Sequence, residues 1–203
     1  MPIAVQKRAK PDGRRQRAEL SREAIVDAIL SLLREGVLRP GAQQIAARAG
    51  VSMRSVFRHF EDLDGLFAAA VERQRELIRP LFELMPAGRS LRERTEVLVA
   101  QRARLYEEIT PTRQAAVRQA PFHAPLRRGL EEATEAQRQQ IAEIFREDLA
   151  AFPAAERREL AEAIEAASSW LFWENLRREQ GLSVDRARRI MTRTITALFG
   201  GKK

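Results

Sequence analysis

The chain contains no cysteine, which excludes disulfides, thiolate chemistry and any cysteine-ligated zinc or iron–sulfur centre. It has only two histidines, His59 and His123, far apart in sequence, so no metal site and no cofactor is expected. No run approaches the roughly 18 apolar residues of a membrane span. Lys7, Arg8 and Lys10 are not followed by the apolar core of a signal peptide, so a soluble cytoplasmic protein is expected. Glycine-rich phosphate loops and nucleophile elbows are missing too. Acidic pairs such as Glu107-Glu108 and Glu131-Glu132 point about 100° apart on a helix and read as solvated surface rather than acid–base machinery. An enzyme is therefore not expected.

What remains is a helical chain with an uneven charge. Of 203 residues, 44% are hydrophobic and 32% charged, and polar residues interrupt apolar ones at helical spacing almost throughout, which predicts an all-α fold. The net charge of +8 is concentrated at one end: residues 1–60 hold 12 Lys and Arg against 5 Asp and Glu, whereas the remainder is nearly balanced. A basic head on a neutral body fits a nucleic-acid-binding module joined to a second domain.

Pro2, Pro11, Gly13 and the lack of hydrophobic periodicity mark residues 1–20 as a flexible basic arm. From Ser21, a plausible N-cap, Ile25, Ala28, Ile29, Leu32 and Leu33 predict a helix ending at Gly36. Pro40 and Gly41 break the chain before a short helix carrying Ile45, Ala46 and Ala49, stopped by Gly50. Ser52 caps a third helix with Val56 and Phe60 on one face, and a fourth carries Leu63, Leu66, Phe67, Ala70, Val71, Leu77 and Ile78. Further helices are predicted at about 90–109, 111–119, 125–152, 154–179 and 183–199, separated by Pro111, Pro121, Pro125, Pro153 and Gly181. The predicted helix from Ala154 has two apolar faces, Leu160, Ile164, Ala167 and Leu171 on one and Ala163, Ala166, Trp170 and Trp173 on the other, so one can serve the core and the other a partner.

Two helices meeting steeply across a tight turn need a small residue at the contact, a glycine for the left-handed turn, an apolar turn residue and an apolar anchor on the second helix. Ala46, Gly50, Val51 and Val56 supply these in order. The run from Ile45 to Ser52 followed by Phe57-Arg58-His59-Phe60 resembles the TetR family signature of helix-turn-helix transcriptional regulators, and the flanking helices extend the likeness over about residues 21–78. The division read from the sequence is then the arm at 1–20, the DNA-binding domain at 21–66, and a helical ligand-binding and dimerisation domain at 67–203.

Gln43 and Gln44 open the helix that would cross the DNA backbone, where amides meet phosphates. Ser52, Arg54, Ser55 and Arg58 are candidates for base or phosphate contacts, Arg54 being best suited to guanine edges. His59 is a phosphate donor by the resemblance. Phe57 stands where the family usually has tyrosine, keeping ring packing but losing a hydroxyl; Leu63 replaces a common lysine, with Glu61, Asp62 and Asp64 around it; and Gly41 replaces a capping threonine. Arg14, Arg15 and Arg17 could reach an adjacent groove. In the second domain Phe82, Met85, Tyr106, Phe122, Phe145, Trp170 and Trp173 are candidates to line a pocket for a small apolar or amphipathic ligand. The resemblance implies a homodimer bound to double-stranded DNA, its last two long helices forming a four-helix interface, with a small molecule releasing it from a palindromic operator. A sequence-nonspecific architectural DNA-binding dimer is the alternative.

Overall fold

The computed structural model describes residues 13–82 and 90–200, and these form helices joined by short turns with no strand among them. They fall into two compact units that divide at Arg73/Gln74. The division lies within the fourth helix, several residues beyond the boundary expected at 66/67. Met85 and the first twelve residues of the expected arm lie outside the described residues.

In the first unit, α1 runs Gly13–Arg34, α2 Ala42–Ala49 and α3 Met53–His59, while α4, Leu63–Ile78, starts there. Helix α1 begins eight residues before the expected Ser21, so residues 13–20, read as part of a flexible arm, are its first two turns. They carry no buried residue, which is why hydrophobic periodicity missed them. Local contacts suffice to continue the helix: Arg15 pairs with Glu19 one turn on, and Arg17 Nε donates to the Gly13 carbonyl. The buried stripe starts at Ile25 and includes Ile29 and Leu33, α1 packs on α2 and α3, and Ile45, Ala46, Val56, Leu66, Phe67 and Ala70 are buried in the same unit, which together make its small core. Each large side chain fully removed from water there contributes about 1.5–3 kcal/mol.

In the second unit, α5 runs Leu91–Gln119, α6 Ala124–Ile144, α7 Arg146–Ala150, α8 Ala154–Ala167, α9 Trp170–Glu174 and α10 Val184–Leu198. Its core gathers Leu98, Val99, Leu105 and Tyr106 of α5, Ile141 of α6, Ile164 of α8, Trp173 of α9 and Ala187, Met191 and Ile195 of α10.

Three boundaries differ from expectation, the first being Phe145, which divides the helix expected over 125–152 into α6 and α7. Pro111 does not end α5, which continues through it to Gln119. Proline removes one amide from the helix ladder; around the gap the Thr110 and Thr112 hydroxyls donate to the carbonyls of Tyr106 and Ile109, at 2.6 and 2.8 Å. Conversely, the single helix expected over 154–179 is broken at Ser168 and Ser169. Ser169 Oγ accepts from the Phe172 amide at 3.2 Å and starts α9 afresh, which then ends in a π turn over Asn175–Glu179. The break turns Trp170 and Trp173 into the core and leaves Leu171 71% exposed, so the two tryptophans occupy the core face and Leu171 the outer one.

Candidate nucleic-acid interface

The turn between α2 and α3 is built by Gly50. Its φ of 67° and ψ of 29° are left-handed, and the Val51 and Gly50 amides donate to the carbonyls of Ala46 and Ala47 at 3.0 and 3.3 Å, the paired bonds of a Schellman motif. Ser52 then caps α3, its Oγ accepting from the Ser55 amide at 3.2 Å. Buried Val56 and Phe60 anchor one face of α3 against the small core, so its opposite face looks to solvent.

That outer face carries Arg54, Phe57 and Arg58, all exposed. Among the described residues, no carboxylate pairs with Arg54 or Arg58, so both guanidiniums are available to an anionic partner. Three other cations of this unit are already engaged. Arg48 forms a two-pronged ion pair with Glu35 at 2.6 and 2.7 Å and also donates to Ser31 Oγ, joining α2 to α1. That contact holds the Glu35 carboxyl below its ordinary range, chiefly through the hydrogen bond from Arg48. Arg73 pairs with Asp27 at 2.9 Å, and Arg22 lies 5.0 Å from the centroid of the Phe60 ring. None of these pairings was visible from spacing, because each joins residues that only folding brings together.

The other expected contacts are placed as follows. Gln43 is exposed at the start of α2. Gln44 is exposed too, but its Oε1 accepts from the Gly41 amide at 2.9 Å, so it performs the cap that Gly41 cannot; its amide NH2 remains to meet a phosphate. Ser52 and Ser55 lie together, hydroxyls 3.1 Å apart. The Phe57 ring does not pack as expected: it is 61% exposed. His59 is half-buried, with Nε2 buried and without a partner, so the nitrogen left for a phosphate is Nδ1. Burial, then the charges of Arg58 and Arg22, push its pKa below the ordinary value near 6.5. Leu63 is half exposed, and Asp62 beside it accepts from the Gly65 amide at 2.8 Å, a capping role that accounts for one of the acidic residues there. Arg14, Arg15 and Arg17 sit on the exposed first turns of α1.

Residues 25–70 match the family described as bacterial regulatory proteins, tetR family. This chain carries a TetR-family DNA-binding domain. The match covers α2, the Gly50 turn and α3, together with the buried part of α1 and the start of α4. Solved structures extend the likeness in fold over nearly the whole chain. A tetR-family transcriptional regulator from Streptomyces coelicolor is 19% identical with a TM-score of 0.71, covering 89% of this chain and 80% of its own. A transcriptional regulator from Rhodococcus sp. Rha1 is 18% identical with a TM-score of 0.67, covering 91% and 96%. A TetR-like transcriptional regulator from Rhodococcus sp. RHA1 is 19% identical with a TM-score of 0.62, covering 96% and 100%. Comparison with curated proteins gives no match. The family match thus lies in the DNA-binding unit, and beyond it the solved structures extend the likeness in fold alone.

The expected ligand residues do not converge on one place. Tyr106, Trp170 and Trp173 are buried together, the Tyr106 and Trp173 rings 6.5 Å apart. Phe145 is buried against Phe199, with ring centroids 5.4 Å apart. Phe122 is 74% exposed and Phe82 is also exposed. Hydrophobic patterning passed over two arginines of this unit: Arg102, fully buried and near Tyr106, and Arg113, half-buried over the Trp170 ring. An arginine at a core position gives no apolar signal, so periodicity alone reads it as surface.

Proposed function

We propose that this TetR-family regulator is a homodimeric repressor that binds a palindromic operator and releases it when a small molecule occupies the carboxy-terminal bundle. The observation that carries the DNA half of this reading is the outer face of α3, where exposed Arg54 and Arg58 lack carboxylate partners on a helix held from behind by Val56. An arginine fork suits the O6 and N7 edge of guanine, and the capped N-terminus of α2 suits phosphate. Two such helices must stand about 34–36 Å apart to enter successive major grooves, which requires a dimer. On α10, half-buried Ile190, Thr194 and Leu198 run beside the core stripe, and with exposed Leu171 they offer apolar surface for a second copy to cover. A ligand that favours a different separation of the two recognition helices weakens operator binding.

The test is selection of bound DNA from a random pool, followed by competition with bulk DNA. A palindrome with half-sites one helical turn apart, preferred by about 10³-fold or more, is the expected result. Enrichment of no sequence, with affinity set by salt alone, would instead establish the architectural alternative.

A further inference from the structure

Helix α5 carries charge into the middle of the carboxy-terminal core. Arg102 is 0% exposed, yet among the described residues its Nε, Nη1 and Nη2 meet no hydrogen-bond partner. Arg113 has a buried Nε that also lacks one, while its guanidinium lies 5.3 Å from the centroid of the Trp170 ring. Arg102, Tyr106, Ile109 and Arg113 follow one another at helical spacing and so share one stripe, about 16 Å long at 1.5 Å per residue. Opposite it, on α6, Gln137 Oε1 lies 3.3 Å from the Tyr106 hydroxyl, and Gln140 donates to Gln101 at 2.7 Å while its own Oε1 is buried without a partner.

A buried guanidinium cannot escape its cost by losing a proton, as a lysine or a carboxylic acid can. Burial pushes the pKa of Arg102 downward and the nearby Tyr106 oxygen opposes it, but no carboxylate contributes. The acidic groups of the surrounding helices are committed elsewhere. Glu107 accepts from Arg177 and Trp173, Glu174 from Gln114, Glu165 pairs with Arg138, and Asp148 pairs with Arg94. A permanent charge in an apolar wall with no internal counterion is a binding group for an external one.

We propose that Arg102 seats the carboxylate of an amphipathic small acid whose apolar body lies among the side chains of α5, α6 and α9. The planar fork of arginine matches the two oxygens of a carboxylate. The rest of the ligand must be apolar, because the core of this unit, in which Arg102 is fully buried, is built from side chains such as Leu98, Val99, Leu105 and Trp173. Arg113, with the Trp170 ring already against its cation, borders the far end of the stripe. This assignment gives the chemical class of the ligand in the regulatory reading above and rests on that reading for its biological meaning.

The full-length protein is titrated with saturated carboxylates from butanoate to hexadecanoate, and with benzoate and phenylacetate, each paired with the primary alcohol of the same body. Trp170 and Trp173 are the only tryptophans, so their fluorescence reports the site, and the thermal midpoint gives a second readout. At least one acid is expected to change both signals and to bind about tenfold or more tightly than its alcohol. Arg102→Gln should abolish that preference. Arg102→Lys, which keeps the charge but not the fork, should bind the acid about tenfold more weakly than the parent and decides the matter if the glutamine variant fails to fold. The proposal is overturned if no acid binds, if acid and alcohol bind alike, if the folded variants bind the acid as the parent does, or if inorganic phosphate binds more tightly than every acid. Operator binding separates the two readings. Acid that binds through Arg102 without releasing DNA leaves the site standing and removes its regulatory role, whereas specific DNA binding with no acid bound does the reverse.

Discussion

Gly50→Ala isolates the backbone requirement of the helix-turn-helix. A Cβ built on Gly50 meets nothing within 4 Å, so the substitution adds no clash, and its cost is the conformation alone. Holding an L-residue at φ 67° costs about 1–2 kcal/mol, and the smaller conformational freedom of alanine in the unfolded chain returns about 0.4–1 kcal/mol. The net expectation is a loss of about 1 kcal/mol, a fall in thermal midpoint of about 2–4 °C for a chain of this size. Gly65→Ala is the control. Gly65 lies in the first turn of α4 without a positive φ, and its added Cβ would stand 3.4 Å from Asp62 Oδ1, so alanine should be neutral or stabilising by up to about 1 kcal/mol. Gly50→Asn should fall between the parent and Gly50→Ala, because asparagine tolerates the left-handed region better. Midpoints from far-UV circular dichroism, with urea unfolding for the free energies, give all four values. A Gly50→Ala protein as stable as the parent, or an asparagine variant no better than alanine, would refute a left-handed backbone as the reason for glycine here.

Two further expectations concern the interface. Arg54→Ala should weaken operator binding and lower the slope of log affinity against log salt by about 1 if the guanidinium meets a phosphate; a loss of base preference at one position with an unchanged slope would place it on a base edge instead. His59 has a depressed pKa when folded, so near and below its ordinary value of 6.5 the unfolded chain binds the additional proton. Stability should therefore hold above about pH 6.5 and fall as the pH drops from there through the folded pKa, and His59→Gln should flatten that part of the profile; equal slopes in the two proteins would remove His59 as the cause.

The backbone of the DNA-binding domain was legible because each of its requirements falls on a residue type that spacing reveals. Ala46, Gly50, Ser52 and Val56 occupy the roles their order implied, and the limits of α2 and α3 agree within a residue or two, whereas α1 starts eight residues early. Elsewhere local rules gave way to partners that sequence does not display. Pro111 has the local signature of a stop, but flanking threonines supply donors to the neighbouring carbonyls within a long packed helix. The serine pair at 168 and 169 is masked by an apolar pattern that continues on both sides, although Ser169 is the sort of residue that starts a helix.

Charge was the least legible quantity, for a physical reason that links the two ends of the chain. Counting arginines locates the basic head but cannot tell a cation spent inside the protein from one kept for a partner, since both look alike until the chain folds. Arg48, Arg73 and Arg22 satisfy Glu35, Asp27 and the Phe60 ring, which leaves the exposed face of α3 with Arg54 and Arg58 as its unpaired cations. The same distinction operates in reverse in the second domain, where the net charge is nearly balanced and so gives no signal. There Arg92 and Arg94 find Glu96 and Asp148, whereas Arg102 finds none. A balanced domain can thus still hold an unpaired charge, and one kept from water in an apolar core costs far more than one on a surface. On this reasoning a cation is marked for binding by its place as well as by the lack of a carboxylate partner among the described residues: Arg54 and Arg58 face outward from the recognition helix toward DNA, and Arg102 is enclosed in the core, toward a small acid.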